Sequence, residues 1–206
     1  MQPLKPLFFL PVLALAACGS GGGDGPPPPA FPFTTYDDGV DSGIGIAGGL
    51  SGDGTPVADL PSGSARYDGL IFLDPENSGS DVPGLDAVGN LRLNANFDTN
   101  DLTGTATNFV REDDLALRGT LTVSDGTIGG PGGGIAGFTA AIDGTLAPNS
   151  LNTYAVDAAI VADFLGDDAD GFLGIVGGTV TYGDTTVPEA WLSTYDLEGD
   201  VLGERQ

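Results

Sequence analysis

Leu15-Ala16-Ala17-Cys18 is the stretch with the plainest chemistry in the chain. Cys18 is the only cysteine, and it closes a short apolar run at the N-terminus. Small residues before a cysteine at that place make a lipobox. There the sulfur is acylated and the preceding peptide removed. Residues 1–17 carry the parts of an export signal: Lys5 is the positive region, Leu7 to Leu15 the apolar run, and small residues precede the cut. The apolar run is too short to span a bilayer as a helix. Gly19, not Asp, follows the cysteine, which favours the outer membrane over the inner one. The expectation is a protein tied to the outer membrane through lipid on Cys18 and by nothing else.

The other chemistry-bearing residues are acids. Asp167-Asp168-Ala169-Asp170-Gly171 invites a calcium reading. It lacks the alternating acid spacing and the distal Glu of an EF-hand. Glu112-Asp113-Asp114 reads as a solvated loop tip. Paired carboxylates can hydrolyse glycosides, but among 29 acids some pair always lies at a suitable separation. The chain has no histidine. That removes the Ser-His-Asp triad, the histidine base, and histidine-ligated zinc, copper or haem. Only oxygen-ligand metals stay open. The sequence assigns no catalytic residue, cofactor or metal ligand, and the expected class is not an enzyme.

Charge narrows the partners. The chain has 29 acids and 6 bases, a net charge of −23. Removing the signal takes Lys5 and no acid, leaving 29 acids against 6 − 1 = 5 bases, or −24. Such a chain repels nucleic acid and anionic headgroups.

The elements that must position a site come next. Gly19 to Pro29 is a tether, flexible through its Gly/Ser stretch and stiff through Pro26 to Pro29. Phe31-Pro32-Phe33 and Tyr36 follow, either docked on the domain, the plainer reading, or free to touch a partner. Val40 to Thr55 is Gly/Asp/Ser-rich and carries no structure that its pattern compels. The expected organisation is a signal peptide at 1–17, a lipid anchor and flexible tether at 18–61, and a β-domain at 62–206. Within that domain Leu91, Leu93, Ala95 and Phe97 alternate with polar residues, and Asp98-Thr99-Asn100-Asp101 turns the chain. Similar period-two runs cover Ala65 to Leu73, Leu102 to Thr107, Leu115 to Ser124, Phe138 to Leu146, Val156 to Phe164 and Ile175 to Tyr182. Short helical fragments are expected near Asp168 to Leu173 and Pro188 to Tyr195. Trp191 reads as closing the domain's end. Seven or eight strands at hairpin spacing, each with one polar face, make a small up-and-down barrel or a sandwich. Small residues at Gly104, Gly119, Gly137 and Ala158 suit a narrow barrel.

Three stretches resemble the small barrel of transferrin-binding protein B and related surface lipoproteins. Gly63-Ser64-Ala65-Arg66-Tyr67-Asp68-Gly69 is similar to that family's opening strand. Phe97-Asp98-Thr99-Asn100-Asp101-Leu102-Thr103-Gly104-Thr105 resembles its hairpin. Phe164-Leu165-Gly166-Asp167-Asp168-Ala169 through Gly177-Gly178-Thr179-Val180 resembles its closing unit. The resemblance implies an all-β, eight-stranded antiparallel barrel on an outer-membrane lipoprotein. It also implies a non-catalytic binding module for a protein or small ligand. The chain has room for one barrel and little more, whereas the full receptor has two lobes. The alternative is a structural or assembly component of the envelope that faces the periplasm.

Overall fold

The computed structural model describes residues 33–50, 52–74, 85–129, 134–148, 151–184 and 192–206. Cys18, the Gly/Pro tether and Trp191 lie outside them. A helix, α1 (Tyr36–Gly49), and a single 3-10 turn (Val57–Asp59) precede eight strands. These are β1 (Ser64–Leu73), β2 (Ala87–Asn96), β3 (Asp101–Arg111), β4 (Ala116–Gly129), β5 (Gly137–Ala147), β6 (Asn152–Leu165), β7 (Gly171–Asp184) and β8 (Ser193–Arg205). Each pairs antiparallel with its neighbours, and β8 returns to β1. The sheet therefore closes into an eight-stranded up-and-down barrel.

Side-chain alternation builds the wall. On β6, Tyr154, Val156, Ala158, Ile160, Ala162 and Phe164 point in and are buried, while Asp157, Val161 and Asp163 point out. The interior is filled rather than hollow. Tyr67, Phe97, Phe138, Phe164 and Phe172 contact one another with ring centroids 5.3 to 5.7 Å apart, in tilted and edge-on geometries that aromatic quadrupoles favour. The Tyr67 hydroxyl donates to the Ala169 carbonyl at 2.7 Å. Its one polar atom is thus satisfied, and burial pushes the phenol's pKa well up.

Two bulges reset the alternation. Asn108 and Asp125 sit at φ 54° and 52°, where the β3–β4 and β4–β5 registers shift. The extra residue carries the inward set from Ala106 to Phe109 and from Val123 to Gly126. Asn and Asp tolerate the left-handed region better than other non-glycine residues.

Several elements depart from the sequence reading. The stretch expected to be tether to residue 61 is built onto the barrel from Phe33 onward. Residues 53–57 lie across one barrel end, where Thr55 exchanges backbone hydrogen bonds with Phe164 and Ala136. The Thr55 hydroxyl donates to the Gly166 carbonyl at 2.6 Å, which satisfies a fully buried polar side chain. α1 covers the outer wall. Phe33 and Ile46 pack on Leu70, Val88, Val110 and Leu202, forming a second, smaller core outside the barrel. Gly39 and Gly43 permit the approach. A Cβ there would stand 2.5 Å from a Val88 methyl and 2.8 Å from the Phe72 ring. No helix was expected at this place, because five glycines in fourteen residues cost ~1 kcal/mol each relative to Ala. Packing, not propensity, holds it. The helical fragment expected near Asp168 is instead a turn leading into β7. The fragment expected around Pro188 to Tyr195 is, from Ser193, the start of β8. Gly104 is partly covered and Gly119 is exposed, so of the four small residues only Gly137 and Ala158 are buried.

Candidate functional site

The acidic tip Glu112-Asp113-Asp114 is the exposed loop expected of it, and it also makes contacts. Arg111 pairs with Asp113 at 3.0 Å. The Asp114 carboxylate accepts the Tyr36 backbone N–H at 2.9 Å, and Thr35 caps the same helix by accepting from Asp38 N–H at 3.2 Å. Negative groups at a helix N-terminus are favourable, so this tip fixes where α1 begins. The Glu112 N–H donates to the Asp86 carbonyl.

These contacts frame one end of a groove on the outer wall, of about 940 Å³. Tyr36 and Phe72 line it, as do Ile175 and Gly177 of β7 and Glu198 and Asp200 of β8. Asp74, Asp86 and Glu112, at the ends of β1, β2 and β3, complete it. Asp74 and Glu198 exchange backbone hydrogen bonds of 2.8 and 2.9 Å, extending the β1–β8 seam past Leu73.

The acids there act on one another. Burial pushes the Asp86 carboxyl up. The Asp74 charge and a hydrogen bond to its side chain push it further, Glu112 adds to the rise, and Arg111 opposes it. Tyr36 is raised by burial and then by Asp86, Glu112 and Asp74.

Three of the bases are engaged elsewhere. Arg66 and Arg92 both hold Asp68, at 2.5 and 2.7 Å. Burial alone would raise that carboxyl, but the hydrogen bonds and charges of the two arginines prevail and lower it. Arg205 donates to the Asp168 carbonyl at 2.9 Å and, from its backbone, to that of Asp170 at 2.7 Å. With Tyr67 on Ala169, three successive carbonyls of the turn at Asp167 to Asp170 are engaged by protein donors. Among the described residues no cluster of three or more acids has the geometry of a metal site. No helix among them is long and apolar enough to cross a membrane, which says nothing of strands.

Sequence reasoning missed the groove, although two runs carried a signal. Leu70-Ile71-Phe72-Leu73 and Phe172-Leu173-Gly174-Ile175-Val176 are apolar on both faces. A strand apolar on both faces covers something on both faces. α1 accounts for the first run, and the outer face of the second is exposed. Compared with known proteins, the chain matches no family model and no curated protein.

Proposed function

We propose that this chain is a lipid-anchored protein of the outer membrane that binds a protein or small ligand without transforming it. Cys18 carries the lipid, the Gly/Pro stretch after it spaces the barrel from the membrane, and the outer wall of the barrel does the binding. The observation that carries the reading is the contrast between the two faces of the wall. The inside is packed with aromatic rings, and the outside holds an open groove beside α1. The resemblance to the transferrin-binding protein B barrel supports it. The stretches behind that resemblance fall on β1, the β2–β3 hairpin and the β6–β7 hairpin of a closed eight-stranded barrel.

Anchoring and display are tested together. Cys18→Ser should leave an uncleaved or released protein whose barrel still folds, and protease added to intact cells should shave the unaltered protein. A Cys18→Ser protein that fractionates unchanged with the outer membrane would contradict the anchor. Protection until the outer membrane is opened would contradict surface display.

A further inference from the structure

The outer wall is not uniform. Outward residues form rows across β6, β7 and β8: Asp163–Leu173–Leu202, Val161–Ile175–Asp200 and Ala159–Gly177–Glu198. Leu202 is covered by α1 at 4 % exposure. Its row neighbour Leu173 is 48 % exposed, and in the next row Ile175 and Val161 are 61 % and 49 % exposed. The apolar strip under the helix therefore continues past it with nothing on top among the described residues. Single exposed aliphatics are ordinary, but three adjoining ones beside a groove mark a contact surface.

We propose that this uncovered face of β6–β8 docks a basic, amphipathic polypeptide segment. This rests on the binding reading above and names the ligand's chemistry. Apolar side chains of the segment cover Ile175, Leu173 and Val161. Its lysines or arginines meet Asp163, Asp200 and Glu198, which border the strip in the same rows. None of the three ion pairs among the described residues uses those acids. Charge decides the occupant. A second copy carries the same net charge of −23 and repels this one, and an anionic lipid surface or nucleic acid is repelled likewise. A cationic chain is attracted and steered. Gly177 supplies the space: an added Cβ there meets nothing within 4 Å, so the floor of the groove stays open over its backbone.

The test uses the full chain in detergent and a short alternating Lys-Leu peptide, with alternating Glu-Leu and Lys-Ser peptides as comparisons, read by fluorescence anisotropy. The Lys-Leu peptide is expected to bind saturably and more tightly than both others. Glu198→Gln with Asp200→Asn should weaken it about tenfold, the cost of about 1.4 kcal/mol. Gly177→Arg, which fits the fold but fills the groove and reverses its charge, should weaken it at least as much. Asp101→Asn with Asp125→Asn removes equal charge from β3 and β4 and should change binding less than about twofold, which 0.4 kcal/mol corresponds to. Equal loss from the two pairs would mean bulk attraction to an acidic protein and would overturn the proposal. Tighter binding of the Glu-Leu peptide, lost in Gly177→Arg, would overturn the ligand's charge and leave the binding reading standing. Failure of all three peptides would overturn the proposal and leave the binding reading to a small ligand. Self-association abolished by Ile175→Asp would assign the face to a second copy instead.

Discussion

Strands β6 and β7 present two walls built from alternate residues of the same sequence. Ile160 and Val176 face in and are buried, and their chain neighbours Val161 and Ile175 face out and are about half exposed. The inner set carries the rings, and the outer set mixes Asp157, Asp163 and Thr179 with aliphatics. The inner wall is locked by rings and closed by Thr55 at one end. The outer wall is covered where α1 lies and open beyond it. Stability resides on one side of the sheet and, in this account, recognition on the other. Substitution separates them.

The largest effect belongs inside. Phe164 touches Tyr67, Phe97 and Phe138, so Phe164→Ala should cost about 3–5 kcal/mol in denaturant unfolding. Ile175→Ser outside should stay within about 0.5 kcal/mol. Similar losses at the two positions would erase the distinction. Next comes the covered part of the outer wall. Gly39→Leu drives a side chain into Val88 and should cost about 1–3 kcal/mol by overpacking. In hydrogen exchange the amides of α1 should lose protection while β1 and β2 keep theirs. If the barrel opened as well, α1 would be part of its core.

Smaller and opposite in sign is Gly45→Ala with Gly48→Ala. Neither added methyl meets anything within 4 Å, so the pair should protect the α1 amides by about 1–2 kcal/mol through helix propensity alone. The smallest effect depends on pH. Asp86 has a folded-state pKa above its unfolded one. Its ionisation therefore penalises the fold as pH rises through the folded value, and the penalty is absent below the unfolded one. Asp86→Asn should be more stable than the parent at neutral pH by about a few tenths of a kcal/mol after solvent screening. The gap should vanish as pH falls into the ordinary carboxylate range. Asp68, held low by two arginines, behaves in reverse: its contribution is present above the unfolded pKa and lost as pH falls through the folded one.

The barrel was largely legible because period two is a strong signal wherever one face is wet. Leu91 to Phe97 and Val156 to Phe164 read directly as strands. β8 was not read, although Tyr195, Leu197, Gly199 and Val201 alternate with Thr194, Asp196, Glu198 and Asp200. Acids and glycines lower apparent strand propensity, and the barrel's need for a closing partner is invisible locally. α1 was hidden for the converse reason. Gly39 and Gly43 weaken a lone helix and are what lets this one lie on Val88 and Phe72. The groove joins the ends of β1, β2 and β3 to β7 and β8, some of them more than a hundred positions apart. No local pattern brings Asp74 and Asp86 to Glu198.

The inside–outside division is tested most directly by methyl-resolved NMR of the full chain titrated with the Lys-Leu peptide. The methyls of Val161, Leu173 and Ile175 should shift together and saturate, while those of Ile160, Val156 and Val180 on the same strands stay in place. Inner methyls moving first, with the outer ones silent, would put the ligand within the barrel and contradict the account.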